Sequence, residues 1–137
     1  MLIQKIKPEN TWPIRQQVMW PDKPLGFVQL KEDDQGTHYG LFQNSTLTSV
    51  ISCFEKESEM QFRKFATLTE AQGQGCGSYL LKHILGIARK KGIGRIWCNA
   101  RKDKSSYYEK FGLVKTKDVF LKEGVEFIIM ELVNRQE

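Results

Sequence analysis

Apolar and polar positions change period along this chain, and each change marks a new element. Residues 2–7 alternate weakly and predict a first strand. A helical spacing follows over about 11–20, where Ile14 and Val18 share a face. Pro13 suits its first turn, and Pro21 and Pro24 end it. Residues 21–36 hold Leu25, Phe27, Val28 and Leu30, then a polar run, and fit no period. We expect that stretch to be irregular, with a short second helix or a mobile loop as its two forms. Residues 37–43 and 46–54 predict an antiparallel hairpin across Asn44 and Ser45. Another turn is expected at 57–59 and a strand at 60–68. In that strand the apolar positions run Met60, Phe62 and then Phe65. A β-bulge near Arg63 and Lys64 explains the broken period, with burial on both faces as the rival explanation.

Further on, Leu80, Leu81, Ile84, Leu85 and Ala88 line one face of a helix over 78–91, and Lys82, His83, Lys90 and Lys91 face solvent. Gly92 ends it. Residues 94–99 predict a strand, a short helix runs from 103 or 104 to 112, and 113–120 and 125–133 form a last hairpin around Glu123 and Gly124. The order is β-α-β-β-β-α-β-α-β-β. The strand-helix-strand unit over 60–99 calls for a right-handed parallel crossover, so the fold class is mixed α/β, a mixed sheet with helices on both faces. The length of 137 residues suits one domain, 1–137.

The densest chemistry lies between the strand at 60–68 and the helix after it: Gln72, Gly73, Gln74, Gly75, Cys76, Gly77. A glycine-rich turn that opens a helix presents backbone N–H groups and a positive dipole end, which favours phosphate. Three loop classes compete. A Walker loop needs Lys after its last glycine, and Ser78 and Tyr79 follow Gly77. A dinucleotide fingerprint needs a third glycine where Ser78 or Leu80 stands. What remains is Gln-x-x-Gly-x-Gly on Gln72, Gly75 and Gly77. It resembles the acyl-CoA pyrophosphate loop of the GNAT superfamily of N-acetyltransferases, Arg/Gln-x-x-Gly-x-Gly/Ala. A second segment, Ser106-Tyr107-Tyr108-Glu109-Lys110-Phe111-Gly112-Leu113, resembles that family's Phe-Tyr-Glu-Lys-Leu-Gly-Phe. The two motifs stand in the family's order, and the resemblance spans essentially the whole chain.

The resemblance implies a strongly twisted sheet that splays between its fourth and fifth strands. It implies acetyl-CoA as co-substrate, its pantetheine arm pairing with backbone at Phe65, Ala66 and Thr67 and its pyrophosphate on Gln72 to Gly77. It implies direct acetyl transfer to a primary amine, most simply of a small molecule; a protein amine, or acyl-CoA binding without turnover, are the alternatives. Tyr108 matches the family's general acid, and a packed core aromatic is the competing reading. Asn99 is carried over as a cofactor contact, although the family's Asn falls at Arg101 here. No base is legible: Glu59, Glu70 and His38 are the nearest candidates. Specificity is expected in 11–36 and the last hairpin, with Asp22, Glu32, Asp33 and Asp34 available to attract a cationic amine.

Composition narrows the rest. Net charge is +5, mild enough to suit an anionic cofactor and too diffuse for a nucleic-acid stripe. Cys53, Cys76 and Cys98 form no Cys-x-x-Cys pair and read as small buried hydrophobes, so neither a zinc site nor any other metal is expected. No apolar run nears the roughly 20 residues that span a bilayer, and the start is no signal peptide. We therefore expect a soluble cytoplasmic protein, with no membrane or nucleic-acid partner, as monomer or homodimer.

Overall fold

The structure is a computed structural model that describes residues 1–134. Seven strands form one mixed sheet in the order β1-β2-β3-β4-β5-β7-β6. They are β1 (Leu2–Ile6), β2 (Thr37–Gln43), β3 (Thr46–Lys56), β4 (Glu59–Thr67), β5 (Arg95–Arg101), β6 (Val114–Lys122) and β7 (Val125–Val133), with helices α1 (Pro8–Met19), α2 (Cys76–Lys90) and α3 (Ser105–Glu109). This is the predicted element order. Three two-residue hairpin turns, Asn44-Ser45, Glu57-Ser58 and Glu123-Gly124, have positive φ at both positions. That is the turn whose twist matches the flanking strands.

The chain packs as two compact units. The first comprises Met1–Phe54 and Phe62–Ile84. Its core gathers Ile14, Val50 and Ala66, with Ile6, Val18, Met19, Leu47 and Leu68 against them. Helix α1 begins at Pro8, three residues before the predicted start, because Pro8 itself takes the favourable first helical position. The Asn10 side chain accepts the Lys7 N–H at 3.1 Å and closes that end. The stretch between α1 and β2, expected to be irregular, contains two short 3₁₀ turns, Leu25–Val28 and Asp33–Gln35. Inside β4, Lys64 has φ +54°, a left-handed residue at the place where the alternation breaks. After it, Ala66 joins the α1 cluster while the Phe65 ring lies against Gly77 of α2, so neighbouring side chains take opposite faces.

The second unit comprises Glu55–Gln61 and the chain from Leu85. Here the start of β4 pairs in parallel with β5 at Glu59↔Arg95, Met60↔Ile96 and Gln61↔Trp97. This parallel ladder comprises three pairs. On its other side β5 runs antiparallel to β7 along its whole length, from Arg95↔Val133 to Arg101↔Phe127. Ile96, Cys98 and Ala100 are buried, as are Ile128 and Met130 of β7. Gly92 (φ +73°) stops α2 where predicted. Among the described residues no helix is long and apolar enough to cross a membrane, and no group of three or more His, Cys, Asp or Glu is placed to hold a metal ion.

Candidate acyl-carrier site

Helix α2 starts at Cys76, inside the glycine motif and two residues earlier than the spacing predicted. Its first intrahelical bond joins the Tyr79 N–H to the Gly75 carbonyl at 2.9 Å. The amides of Cys76 and Gly77 therefore precede the helical ladder, at the positive end of a 15-residue helix. Gly73 and Gly75 have φ +81° and +82°, and a Cβ on either would meet nothing within 4 Å. Their absence of side chain serves the backbone turn and leaves open space beside it. Gly77 has an ordinary φ, but a Cβ there would stand 3.1 Å from Thr67 Oγ1 and 3.2 Å from the Phe65 ring. It lets α2 approach the end of β4. Gln72, Gly73, Gln74 and Gly75 are exposed, whereas Cys76 is buried.

Polar side chains hold this loop to the strand. Gln72 Nε2 donates to the Thr67 carbonyl at 3.0 Å. Gln74 Nε2 donates to the Glu70 carbonyl at 3.3 Å, and Gln43 Nε2 donates to Gln74 Oε1 at 3.1 Å. Ser49 Oγ, fully buried on β3, lies 3.2 Å from the Ala66 carbonyl and 2.8 Å from Thr67 Oγ1. The strand segment Phe65, Ala66, Thr67 and the loop Gln72 to Gly77 are thus brought together. Gln43 and Ser49 went unnoticed in the sequence. Ser49 left no distinct trace, since Thr46, Thr48 and Ser52 in the same strand also carry hydroxyls.

Tyr108 and Asn99 belong to the second unit. Asn99 is exposed on β5, opposite Ile129 of β7. Tyr108 sits on the five-residue helix α3, partly buried, its ring edge-on to Tyr107 at 5.4 Å. Burial pushes its phenol pKa far above the usual value, with Cys98 and Tyr107 adding to the rise. The phenol therefore keeps its proton across the neutral and alkaline range. Cys98 is likewise pushed up to about 12 by burial, so its thiol is inert at neutral pH.

Several candidate residues need correction. His38 is not on the surface: it is 2% exposed, with Nδ1 2.7 Å from Ser52 Oγ and Nε2 2.8 Å from the Asp33 carbonyl. With both nitrogens engaged it is not placed to take a proton from a substrate. Asp33 is not open to an incoming cation, because it is buried in an ion pair with Arg15 at 2.9 Å. Glu32 bonds Arg63 at 3.3 Å, and Glu59 bonds Arg95 at 3.2 Å. Asp22 and Asp34 do lie exposed, as expected. The sequence held one overlooked sign of these pairs: Arg15 stands beside Ile14 on the buried side of α1.

Comparison with known proteins converges on one family. Residues 22–134 match the family model described as an Acetyltransferase (GNAT) domain. The chain is 30% identical over 132 residues to the uncharacterized N-acetyltransferase YitI of Bacillus subtilis (strain 168), spanning 90% of this chain and 89% of that one. Its fold is similar to the ribosomal-protein-S18-alanine N-acetyltransferase of Escherichia coli, with a TM-score of 0.80 at 18% identity, covering 96% of this chain and 92% of that one. It is also similar to a GNAT family acetyltransferase from Elizabethkingia anophelis solved with acetyl-CoA bound, with a TM-score of 0.74 at 16% identity and 97% of each chain covered.

Proposed function

Since this chain belongs to the GNAT acetyltransferase family, we propose that it transfers the acetyl group of acetyl-CoA directly to the primary amine of a small molecule. The observation that carries this reading is the pair of left-handed glycines, Gly73 and Gly75, at the entrance of α2. They turn the backbone into the start of a helix with open space beside both glycines, and a helix N-terminus of this kind suits a pyrophosphate. The carbonyls of Ala66 and Thr67 are held from the side by Ser49 Oγ and Gln72 Nε2, which fixes the strand segment along which the pantetheine arm would lie in this reading.

In the reaction the amine nitrogen attacks the thioester carbon, the C–N bond forms, and the C–S bond breaks to release a thiolate. The amine loses one proton and the thiolate gains one. Tyr108 is the proton donor to the sulfur in this scheme; its raised pKa keeps it protonated at neutral pH, ready to donate, although it also makes the phenol a weaker acid. An alkylammonium has a pKa of about 10, so the amine arrives charged and must release a proton to solvent before it attacks. No β4 carboxylate takes part, since Glu59 is held by Arg95. Asp22 and Asp34 on the segment after α1 provide negative charge that favours a cationic small amine.

Calorimetric titration with acetyl-CoA, CoA, ATP and NAD tests the carrier. Acetyl-CoA should bind, and Gly75→Glu should abolish binding. Binding of a nucleotide but not acetyl-CoA would sink the proposal. Tyr108→Phe should lower turnover by about 10²-fold and leave acetyl-CoA affinity unchanged. Equal turnover by the variant would remove the phenol from the mechanism. A panel of small amines and peptides, assayed by CoA release, decides the acceptor class, and a preference for peptides would overturn the small-molecule part.

A further inference from the structure

Arg15 has a fully buried side chain in the middle of α1. Its Nη1 donates to the Val28 carbonyl and to Asp33 Oδ2, each at 2.9 Å. Its Nη2 donates to Asp33 Oδ1 and to Ser52 Oγ, each at 2.9 Å. Asp33 Oδ2 also accepts the Trp12 Nε1–H and the Leu30 N–H, both at 3.0 Å. A carbonyl only accepts, so His38 Nε2 carries the proton that meets the Asp33 carbonyl. Ser52, receiving from Arg15, donates its own proton to His38 Nδ1. The bonds close a ring through α1, both 3₁₀ turns, β2 and β3.

A buried ion pair is a costly way to gain stability, because apolar residues of equal volume do as well. What it supplies is one fixed geometry. Here the geometry belongs to residues 25–36, two short turns that are mostly exposed. The far side of this strap reaches β4 where Glu32 bonds Arg63 at 3.3 Å, one residue before the left-handed Lys64. Phe54 fills the corner, since a Cβ on Gly36 would stand 2.5 Å from its ring. The glycine loop follows β4 at its other end. From Thr67 back to Lys64 is about 10 Å of strand at about 3.3 Å per residue. An acyl carrier anchored by phosphate at the loop and lying back along β4 carries its reactive end toward the strap.

We propose that Arg15 is a positioning residue for the acceptor. By clamping the strap over 25–36 through Asp33, Ser52 and the Val28 carbonyl, it fixes the wall that receives the amine, and it does not act on the acyl-CoA loop. This inference rests on the acetyl-transfer reading above.

The test compares wild type with Arg15→Lys and Ser52→Ala. Lysine keeps the charge for Asp33 but cannot fork to Val28 and Ser52 together. Loss of the Ser52 hydroxyl leaves the ion pair whole and opens the ring. Acetyl-CoA is titrated calorimetrically, and acetyl transfer is assayed with n-butylamine, an alanine-initiated tetrapeptide and an aminoglycoside. In Arg15→Lys, the KM for whichever amine wild type uses best should rise at least tenfold while kcat stays within threefold. Acetyl-CoA affinity should stay within twofold, and the amides of Leu30, Asp33 and Gly36 should exchange at least tenfold faster. Ser52→Ala should show the same pattern, weaker. An unchanged amine KM alongside faster strap exchange overturns the proposal. So does a loss of acetyl-CoA affinity equal to the rise in amine KM. If wild type binds no acetyl-CoA, the transfer reading falls and this role with it, and the exchange rates, which need no ligand, then report on the clamp alone.

Discussion

The loop at the end of β4 and the strap beside its bulge are held by opposite means. The loop is shaped by backbone torsions, with left-handed glycines at 73 and 75 and a close approach at 77. Its side-chain bonds lie at the surface. The strap is shaped by charge buried among apolar side chains, with Arg15 at 0% and Asp33 at 3% exposure. A torsion-built element yields to substitution in small steps, a kilocalorie or two at each glycine. A charge-built element holds until one partner is lost and then fails together, because the remaining charge has no water to turn to.

Arg15→Met is therefore the largest single blow expected. It leaves the Asp33 carboxylate buried without its cation and should cost about 3–5 kcal/mol in urea unfolding. Adding Asp33→Leu should recover part of that loss, because the apolar pair needs no desolvation while the Trp12 and Leu30 N–H groups lose their acceptor. If the single variant lost under about 1 kcal/mol, water would be reaching Asp33 and the contrast with the loop would disappear.

The same difference explains what the sequence made legible. Helix α2 and its loop announce themselves locally: Leu80, Leu81, Ile84 and Ala88 keep a 3.6-residue period, and the glycines stand at every second position over 73–77. The bulge showed as a missed beat between Phe62 and Phe65. The strap had no such local pattern. Its anchor joins residues 18 and 37 positions apart, Arg15 with Asp33 and with Ser52, and no periodicity encodes that pairing. His38 consequently offered itself as a base and Asp33 as a charge open to substrate, and burial reversed both readings. The start of α1 was misplaced for a smaller reason, since two prolines competed for the first turn and Pro8 took it. Ser49 and Gln43 support the loop from strands that precede it by more than 20 residues, so its motif is readable while its supports are not.

Acid weakens the clamp more gradually than Arg15→Met. Burial alone raises the Asp33 pKa, but the hydrogen bonds from Arg15, the Leu30 amide and Trp12 outweigh it and hold the carboxyl below 3.8. A carboxyl lowered in the folded state stabilises fully above its unfolded pKa, and that contribution fades as pH falls through the folded value. The stability gap between wild type and the Arg15→Met, Asp33→Leu double variant should thus be flat from pH 7 to about 5 and change progressively below that, as the unfolded Asp33 takes up its proton before the folded one does. Urea midpoints measured at half-unit intervals check it. A gap that already changed between pH 7 and 6 would contradict the assignment.

The loop gives the smallest and most discriminating effects. Gly75→Ala meets no neighbour, so its whole cost is the left-handed backbone, about 1–2 kcal/mol. Gly77→Ala reverses the balance. Its φ is ordinary, and alanine favours the first turn of a helix by about 1 kcal/mol over glycine. Against this, the new methyl presses on Thr67 Oγ1 at 3.1 Å and on the partly exposed Phe65 ring, which must give by a few tenths of an ångström. Net stability should change by less than about 1 kcal/mol in either direction. The family pattern, Gly at the first position and Gly or Ala at the second, then has a physical cause: the first position demands a torsion, the second only room. Calorimetry separates the two, with acetyl-CoA affinity falling further in Gly75→Ala than in Gly77→Ala. The reverse order would mean that close approach, and not backbone turn, shapes the phosphate site.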